Sequence, residues 1–334
     1  MILLVEQLLN GLQLGITLFL MSAGLTLVFG IMQVINLAHG SFYMIGAYVG
    51  ATVAAATGSF ILALAGALGA AGLAGMAVEI LVLRQLYRRD HLDQVLATFG
   101  LIFFFNEMTR FIWGKQPLFM DVPLWLKGKI ELLPGLVYPV YRLAVIVVGV
   151  VVALLLWYLF SRTRLGMQIR AGASNRDMVS ALGVNIKLLY TLVFGLGTLL
   201  AGLAGVMAGP IFAVESGMGE SILILTFVVI VIGGIGSVRG AVVGALLVGL
   251  VDTLGRAFMP TLFRAFLSSS YADSVGASLA SMSIYIMMAA VLIWKTRGLF
   301  PSHHCSADDR RCSHNGAYLR RWGFLLSAAL GSTL

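Results

Sequence analysis

Long apolar stretches recur along most of this chain, and they constrain its fold more than any other feature. Most are long enough to cross the roughly 30 Å of hydrocarbon in a bilayer. Charged residues make up only 11% of the chain, whereas soluble domains have about 25%. The sequence therefore predicts an all-α, polytopic transmembrane helical bundle of about eight or nine spans. The stretches are Leu8 to Ile31, Ser41 to Ala56, Phe60 to Leu83, Val95 to Trp113, Leu143 to Phe160, Leu188 to Phe212, Ile222 to Ile235, Ala241 to Phe258 and Ala277 to Trp294.

Glycine shapes this bundle in two ways. The second, seventh and eighth apolar stretches are short and glycine-rich, which suggests short broken or re-entrant segments. Glycines also recur at four-residue spacing, a pattern that lets helix backbones approach closely in lipid. We expect helix packing at these positions, which are Gly11/Gly15, Gly46/Gly50, Gly205/Gly209 and Gly236/Gly240/Gly244.

The distribution of Lys and Arg predicts the orientation of the spans. Cytoplasmic loops are enriched in these residues. With the Arg84 to His91 loop, the polar segment Ser161 to Lys187, Arg239 and the Lys295 to Arg297 end inside, eleven basic residues face the cytoplasm and four face outward. This ratio predicts a cytoplasmic C-terminus, and it explains the net charge of +8 without a nucleic-acid partner.

Ser161 to Lys187, which we call the polar island, is set between two apolar stretches. Ser174 and Asp177 have the S-x-x-D spacing of a capping box, which predicts a helix starting near Asn175. Met178, Ala181 and Leu182 would share one face of that helix, and Gly183 would end it. So short a helix is marginal alone and needs a surface to pack on. It is either a docking element for another protein or a connector on the membrane surface.

Gln33, Asn36, His39 and Ser41 interrupt the apolar character where the first two spans join. Polar groups at membrane depth must line water or find protein partners. A break in a transport pathway is one explanation. A cytoplasmic turn, with a helix cap at Asn36 or Ser41, is the other.

Two charge pairs lie within apolar stretches. Glu107 and Arg110 are three residues apart, and Asp252 and Arg256 are four apart, so each pair can neutralise itself on one helix face. We expect structural pairing rather than a proton relay at both.

The motifs of several enzyme classes are missing from the sequence. It has no H-E-x-x-H, no G-x-S-x-G and no G-x-x-x-x-G-K-[ST] phosphate loop. His303, His304, Cys305, Cys312 and His314 are suitable zinc ligands, but their spacing matches no common finger. We expect neither an enzyme nor a metal site.

Four stretches together carry a resemblance to a known family. They are GLTLVFGIMQVINLAHGSFYMIGAY from Gly24, RTRLGMQIRAGASNRDMVSALGVNI from Arg162, LAGLAGVMAGPI from Leu200 and GGIGSVRGAVVGALLVG from Gly233. Over roughly residues 1–300 the chain resembles the LivH-type permeases of branched-chain amino acid ABC transporters.

The resemblance implies a permease of the bacterial inner membrane that pairs with a second, LivM-type permease subunit. Two cytoplasmic ATPases and a periplasmic substrate-binding protein would complete the importer. The chain itself would hold no cofactor, since its partners use the ATP. The polar island becomes the loop that couples to the ATPases, and the Asn36 segment is assigned to the pathway or gate. The coupling residues would be Arg164, Gly166, Arg170, Ala171, Asn175, Asp177, Ala181, Leu182 and Gly183, and those of the pathway or gate would be Asn36, His39, Gly40 and Ser41.

The sequence is therefore divided into a permease domain, residues 1–300, which contains the coupling loop 161–187, and an atypical tail, residues 301–334, to which we assign no function. Urea or short amides are alternative substrates on the same kind of permease. A stand-alone secondary transporter or channel would instead make Glu107 or Asp252 essential. A purely structural subunit would tolerate mutations in the island.

Overall fold

A computed structural model describes residues 2–32, 34, 36–87, 89–264, 269–296 and 298–300 of the chain. The tail, with its His and Cys residues, lies outside the described residues. A five-residue π-helix, Glu79–Leu83, joins the third and fourth helices, and a short 3-10 turn, Leu124–Leu126, precedes a hairpin. The α-helices and strands are α1 (Ile2–Met32), α2 (His39–Thr57), α3 (Phe60–Val78), α4 (Arg84–Leu86), α5 (His91–Trp113), β1 (Lys129–Leu133), β2 (Leu136–Pro139), α6 (Val140–Arg162), α7 (Arg164–Ser174), α8 (Arg176–Ala181), α9 (Ile186–Ala208), α10 (Met218–Gly233), α11 (Val238–Phe263) and α12 (Ser269–Trp294).

Every apolar stretch of the sequence corresponds to a helical segment, so the predicted all-α membrane bundle is confirmed. Within the described residues, seven helical segments are long and apolar enough to cross a membrane. The shorter apolar helix α10 has 16 residues, and α2 has 19. The match holds because a long, mainly apolar run can satisfy its backbone hydrogen bonds in lipid only by forming a helix.

The helices α1 and α9 form the centre of the bundle. Both are mainly buried, whereas α5, α6, α11 and α12 bury a smaller share of their surface. The helix α1 packs against α6, α9, α10 and α11, while α9 also packs against α2 and α3. From Leu14 onward α1 is apolar on nearly all sides, which suits an interior position.

Glycines sit where helix backbones come closest, as their spacing predicted, except that Gly236 lies in the turn before α11, with a φ of 81°. A Cβ added at Gly249 of α11 would lie 2.4 Å from the backbone nitrogen of Gly15 in α1. One added at Gly46 of α2 would lie 2.5 Å from the Cα of Gly202 in α9. Ordinary contacts of a Cβ begin at about 3.4 Å, so these two crossings require glycine.

The eighth apolar stretch departs from the prediction of short broken segments. It forms one continuous helix of 26 residues, α11, because its glycines pack against α1 and α10 and leave its backbone hydrogen bonding intact. The second and seventh stretches are the continuous helices α2 and α10. The irregular turn lies instead after α3, at the π-helix.

The connectivity places the polar island and a β-hairpin at opposite ends of the bundle. The helix α6 begins beside the strands β1 and β2 and ends at the island, and α9 leads back from the island. The antiparallel hairpin turns at Gly135, whose φ is 88°. The sequence analysis did not predict this hairpin, although its Pro134-Gly135 pair is a turn signal.

Candidate functional site

Capping side chains divide the polar island into two short helices. Thr163 caps α7, Asn175 caps α8 and Asn185 caps α9. Their oxygens accept bonds from the backbone nitrogens of Gly166 at 3.1 Å, Met178 at 3.0 Å and Leu188 at 3.1 Å, respectively. Because each cap needs a non-helical residue, α6 ends at Arg162 and α9 begins only at Ile186, so no single continuous helix runs through the island.

The predicted helix start near Asn175 is confirmed, but the predicted capping residue is wrong. Ser174 is the last residue of α7, whereas Asn175 has the extended backbone (φ −154°, ψ 97°) that a cap requires. The side chain of Asp177 lies outside the described part, so its half of the capping box stays a prediction. Gly183 has the expected left-handed backbone, with a φ of 85°.

Gly166 seats the first island helix against the end of α6. A Cβ at Gly166 would lie 2.3 Å from the carbonyl oxygen of Leu159 and 2.7 Å from the Cα of Phe160. Ile169, one turn along α7, is also buried. One face of α7 is therefore anchored on the membrane domain, and the other carries exposed Arg164 and Arg170.

The second island helix exposes apolar side chains. Met178 is 64% exposed and Leu182 is 78% exposed, while Val179 between them is buried. Lipid covers exposed apolar side chains on a membrane span, but α8 is a six-residue helix within a polar segment. Exposed apolar surface outside the spans is typical of an interaction site. Ala171, Asn175, Ala181 and Gly183, also predicted to couple, are exposed too.

The turn before α11 is rich in glycine, and two of these glycines have positive φ values. Gly234 and Gly236 have φ values of 102° and 81°. Ser237 then caps α11, because its hydroxyl oxygen accepts a bond from the backbone nitrogen of Gly240 at 3.1 Å. This turn closes the bundle at the same end as the island.

The segment from Asn36 to Ser41 is a buried turn. The side-chain oxygen of Asn36 accepts a bond from the backbone nitrogen of Ala38 at 3.1 Å, and Asn36, His39 and Ser41 are all buried. The imidazole of His39 lies against α1 at Gly24. Asn36 thus shapes the turn, which packs inside the protein, but the helix cap predicted at Asn36 or Ser41 is wrong, because Ala38 precedes α2 and no side chain caps this helix.

Gly40 joins this segment to α10. A Cβ at Gly40 would lie 2.2 Å from the carbonyl oxygen of Gly219, and one at Gly219 would lie 2.3 Å from that of Gly40. The segment is therefore the meeting point of α1, α2 and α10. Its four predicted pathway residues do not line the large polar cavity of the described chain.

That polar cavity, of about 770 Å³, lies at the end of the bundle away from the island. It is bounded by α1, α2, the start of α6, the segment after α9, the start of α10 and the second half of α11. Gln13, Arg142, Glu215, Asp252 and Arg256 supply polar groups to its wall. A volume of this size lies in the usual range of ligand sites.

Both predicted ion pairs are present. Arg110 Nη1 donates to Glu107 Oε1 at 2.7 Å, and Arg256 Nε donates to Asp252 Oδ1 at 2.8 Å. The first pair is largely exposed on α5. In the second, Asp252 is buried near the middle of α11, and more than half of the Arg256 side chain remains exposed.

Comparison with known proteins gives the family. The protein-family model described as "Branched-chain amino acid transport system / permease component" matches residues 7–292 of this chain. The chain belongs to this family. The curated relatives include the high-affinity branched-chain amino acid transport system permease protein LivH of Salmonella typhimurium, 31% identical over 305 residues, which cover 86% of this chain and 94% of LivH.

Other relatives match to different extents. The permease protein BraD of Pseudomonas aeruginosa, from a high-affinity branched-chain amino acid transport system, is 31% identical over 75% of this chain and 85% of BraD. The fructose import permease protein FrcC of Rhizobium meliloti is 34% identical, over 35% of this chain and 34% of FrcC. No solved structure matches this chain.

This family member also has a buried polar cluster that the sequence analysis missed. Glu79, in the π-helix, is fully buried. Its carboxylate accepts bonds from Thr191 at 2.7 Å, Tyr87 at 2.8 Å and Arg84 at 3.1 Å. Arg84 also donates to the Thr191 hydroxyl at 2.8 Å. A carboxylate with this many donors is well compensated for its burial.

The cluster ties the π-helix after α3 to α9 near the point where α9 leaves the island. Burial, and then the hydrogen bond to Glu79, raise the pKa of Tyr87, so this hydroxyl stays protonated and acts as a donor. The signal in the sequence was a single acid in an uncharged apolar run, followed five residues later by Arg84.

Proposed function

We propose that this chain is an inner-membrane permease subunit of an ABC importer, and that it translocates branched-chain or related amino acids delivered by a periplasmic binding protein. One observation carries the proposal: the 31% identity to LivH extends over 94% of that permease. Seven helical segments long and apolar enough to span a membrane suit such a subunit.

The importer would contain a second permease subunit of the LivM type and two cytoplasmic ATPases. The chain is a transport subunit rather than an enzyme and binds no cofactor of its own. The lack of a phosphate-loop sequence supports this division, since hydrolysis of ATP then belongs to the partners.

We infer that the island helices α7 and α8 dock on an ATPase. The exposed Met178 and Leu182 would be covered there, and the buried faces of α7 and α8 would transmit the movement. Caps at both ends connect the island directly to α6 and α9, so a displacement of α7 and α8 acts on two spans. The island end, the glycine-rich turn and the C-terminus would lie in the cytoplasm, as the excess of Lys and Arg there favours.

ATP binding would bias the permease between inward- and outward-facing conformations. Such a shift requires a partner that binds one conformation more tightly than the other. The contact of α1, α2 and α10 at Gly40 is assigned to the pathway or gate, because these helices cannot move relative to one another without changing this contact.

The test is ATP-driven uptake of L-leucine by proteoliposomes that contain this chain, its permease partner, both ATPases and the loaded binding protein. The double variant Met178→Glu/Leu182→Glu places charges on the proposed docking face. Ser180→Glu, on the opposite side of α8, is the matched control. We expect the double variant to lose ATPase co-purification and uptake while the permease pair remains assembled, and the control to retain both.

Undiminished uptake by the double variant would contradict docking through α8. Uptake by this chain alone would contradict the importer subunit itself and direct attention to Glu107 and Asp252. ATP-driven uptake of urea or a short amide in place of leucine would keep the importer and change its substrate class.

A further inference from the structure

We propose that the polar cavity away from the island receives the zwitterionic head group of the transported amino acid, with the Asp252–Arg256 ion pair as its recognition element. This inference rests on the proposed function and assigns a substrate-contacting site within it. Arg256 would bind the carboxylate, and Asp252 would face the ammonium group.

The charges of the cavity wall suit a zwitterion. Its wall carries two basic residues, Arg142 and Arg256, and two acidic residues, Glu215 and Asp252. A site for a cation or an anion would carry an excess of one sign, whereas these charges balance. An amino acid likewise presents one positive and one negative group.

The rest of the wall suits an aliphatic side chain. Leu14, Ile211, Met218, Ile222 and Leu225 line the same cavity as the charged residues. Ligand sites typically combine apolar walls with a few convergent polar groups. Another large cavity among the described residues, of about 780 Å³ between α1, α11 and α12, is lined almost wholly by apolar groups and by no charged residue.

The geometry of the ion pair leaves Arg256 available. Asp252 engages the Nε atom, and 57% of the Arg256 side chain is exposed. A guanidinium can bind a carboxylate through two parallel hydrogen bonds, which a surface lysine cannot do. The pair is therefore built to receive a second carboxylate on Arg256 while Asp252 holds the arginine in place.

The position of Asp252 supports a role beyond packing. Asp252 lies near the middle of α11, where an ionisable side chain is costly and typically functional. Glu107 and Arg110 form an ion pair of the same kind on α5, but they do not line the cavity. The two pairs thus provide a matched comparison within one protein.

The cavity also lies at the end of the bundle where a binding protein would deliver the amino acid. The island leaves α6 at its C-terminal end, whereas Arg142 lies in the first turn of α6. With the island docked on an ATPase, the cavity opens on the side from which a binding protein releases its substrate. A receiving site here needs only low affinity, since the binding protein supplies selection.

The experiment measures L-leucine imported per ATP hydrolysed by the complete importer in proteoliposomes, with Arg256→Gln, Arg256→Lys and the control Glu107→Gln. Both Arg256 variants are expected to keep subunit assembly and stimulation of ATPase by the loaded binding protein. Loss of a charge-assisted, bidentate bond to the carboxylate should lower the import ratio of R256Q at least about tenfold. R256K, which keeps the charge but not the fork, should fall less.

A purely structural ion pair would change assembly and ATPase activity but not the import ratio, and that result would overturn the inference. An import ratio like wild type in both Arg256 variants would overturn it as well. If R256Q does not assemble, the ratio measured for R256K decides. Failure of the wild-type importer to take up leucine would instead refute the proposed function.

Discussion

Replacing Gly249 with alanine should destabilise the bundle, because its added Cβ meets the backbone of α1. The Cβ would lie 2.4 Å from the nitrogen of Gly15 and 2.6 Å from the carbonyl oxygen of Gly11. These distances fall about 1 Å short of an ordinary contact. Backbone atoms cannot rotate away as the end of a flexible side chain can, so α1 and α11 must move apart.

The size of the effect follows from this separation. A gap of about 0.5–1 Å forfeits a quarter to a half of the attraction of each contact that it opens. Overpacking in a well-packed core costs about 1–3 kcal/mol. The better helix propensity of alanine returns at most about 1 kcal/mol. We therefore expect a net loss of about 1–2 kcal/mol for Gly249→Ala.

Reversible unfolding in mixed detergent and SDS micelles, followed by circular dichroism, measures this loss. Gly69→Ala is the matched control, because Gly69 lies in α3 with no atom within 4 Å of an added Cβ. The control should be unchanged or stabilised by up to about 1 kcal/mol. If the two variants shift the free energy of unfolding in the same direction by similar amounts, close backbone approach at Gly249 is refuted.

Two further predictions concern the buried cluster and the orientation. Glu79→Ala should cost about 2–3 kcal/mol in the same unfolding assay, since it removes the charged acceptor of three donors, one of them the partly exposed Arg84. Glu79→Gln should cost less, and equal losses would argue against the hydrogen bonds. The orientation is tested in a background with Cys305 and Cys312 replaced by serine. In that background, Thr253→Cys should react with an impermeant thiol reagent added outside cells, whereas Ser180→Cys should react only after permeabilisation. The reverse pattern of labelling would mean that the proposed topology is inverted.

Much of the fold followed from the sequence because membrane insertion is decided locally. An uncharged apolar stretch must form a helix in lipid wherever it lies in the chain. The left-handed Gly183 and the helix start near Asn175 were likewise predicted, because they depend on short motifs in the local sequence. The capping residue was not, because Ser174 and Asn175 are both good caps and only the length of α7 chooses between them.

The candidate sites divide in the same way. The island could be predicted from its contrast with the apolar flanks, and both ion pairs from their helical spacing. Neither the burial of Glu79 nor its bond to Thr191 could be predicted, since the two residues are 112 positions apart. The cavity likewise draws its wall from α1, α2, α6, α10, α11 and the segment after α9.

By itself, the sequence determined that this chain forms a helical membrane bundle, where its spans lie, and which glycines are available for close packing. Only the tertiary structure decided that Gly249 meets Gly15, that α1 and α9 occupy the centre, and that Asp252 and Arg256 face a cavity. The free energy of a span depends on its own residues, whereas the pairing of helices depends on shape complementarity between distant segments.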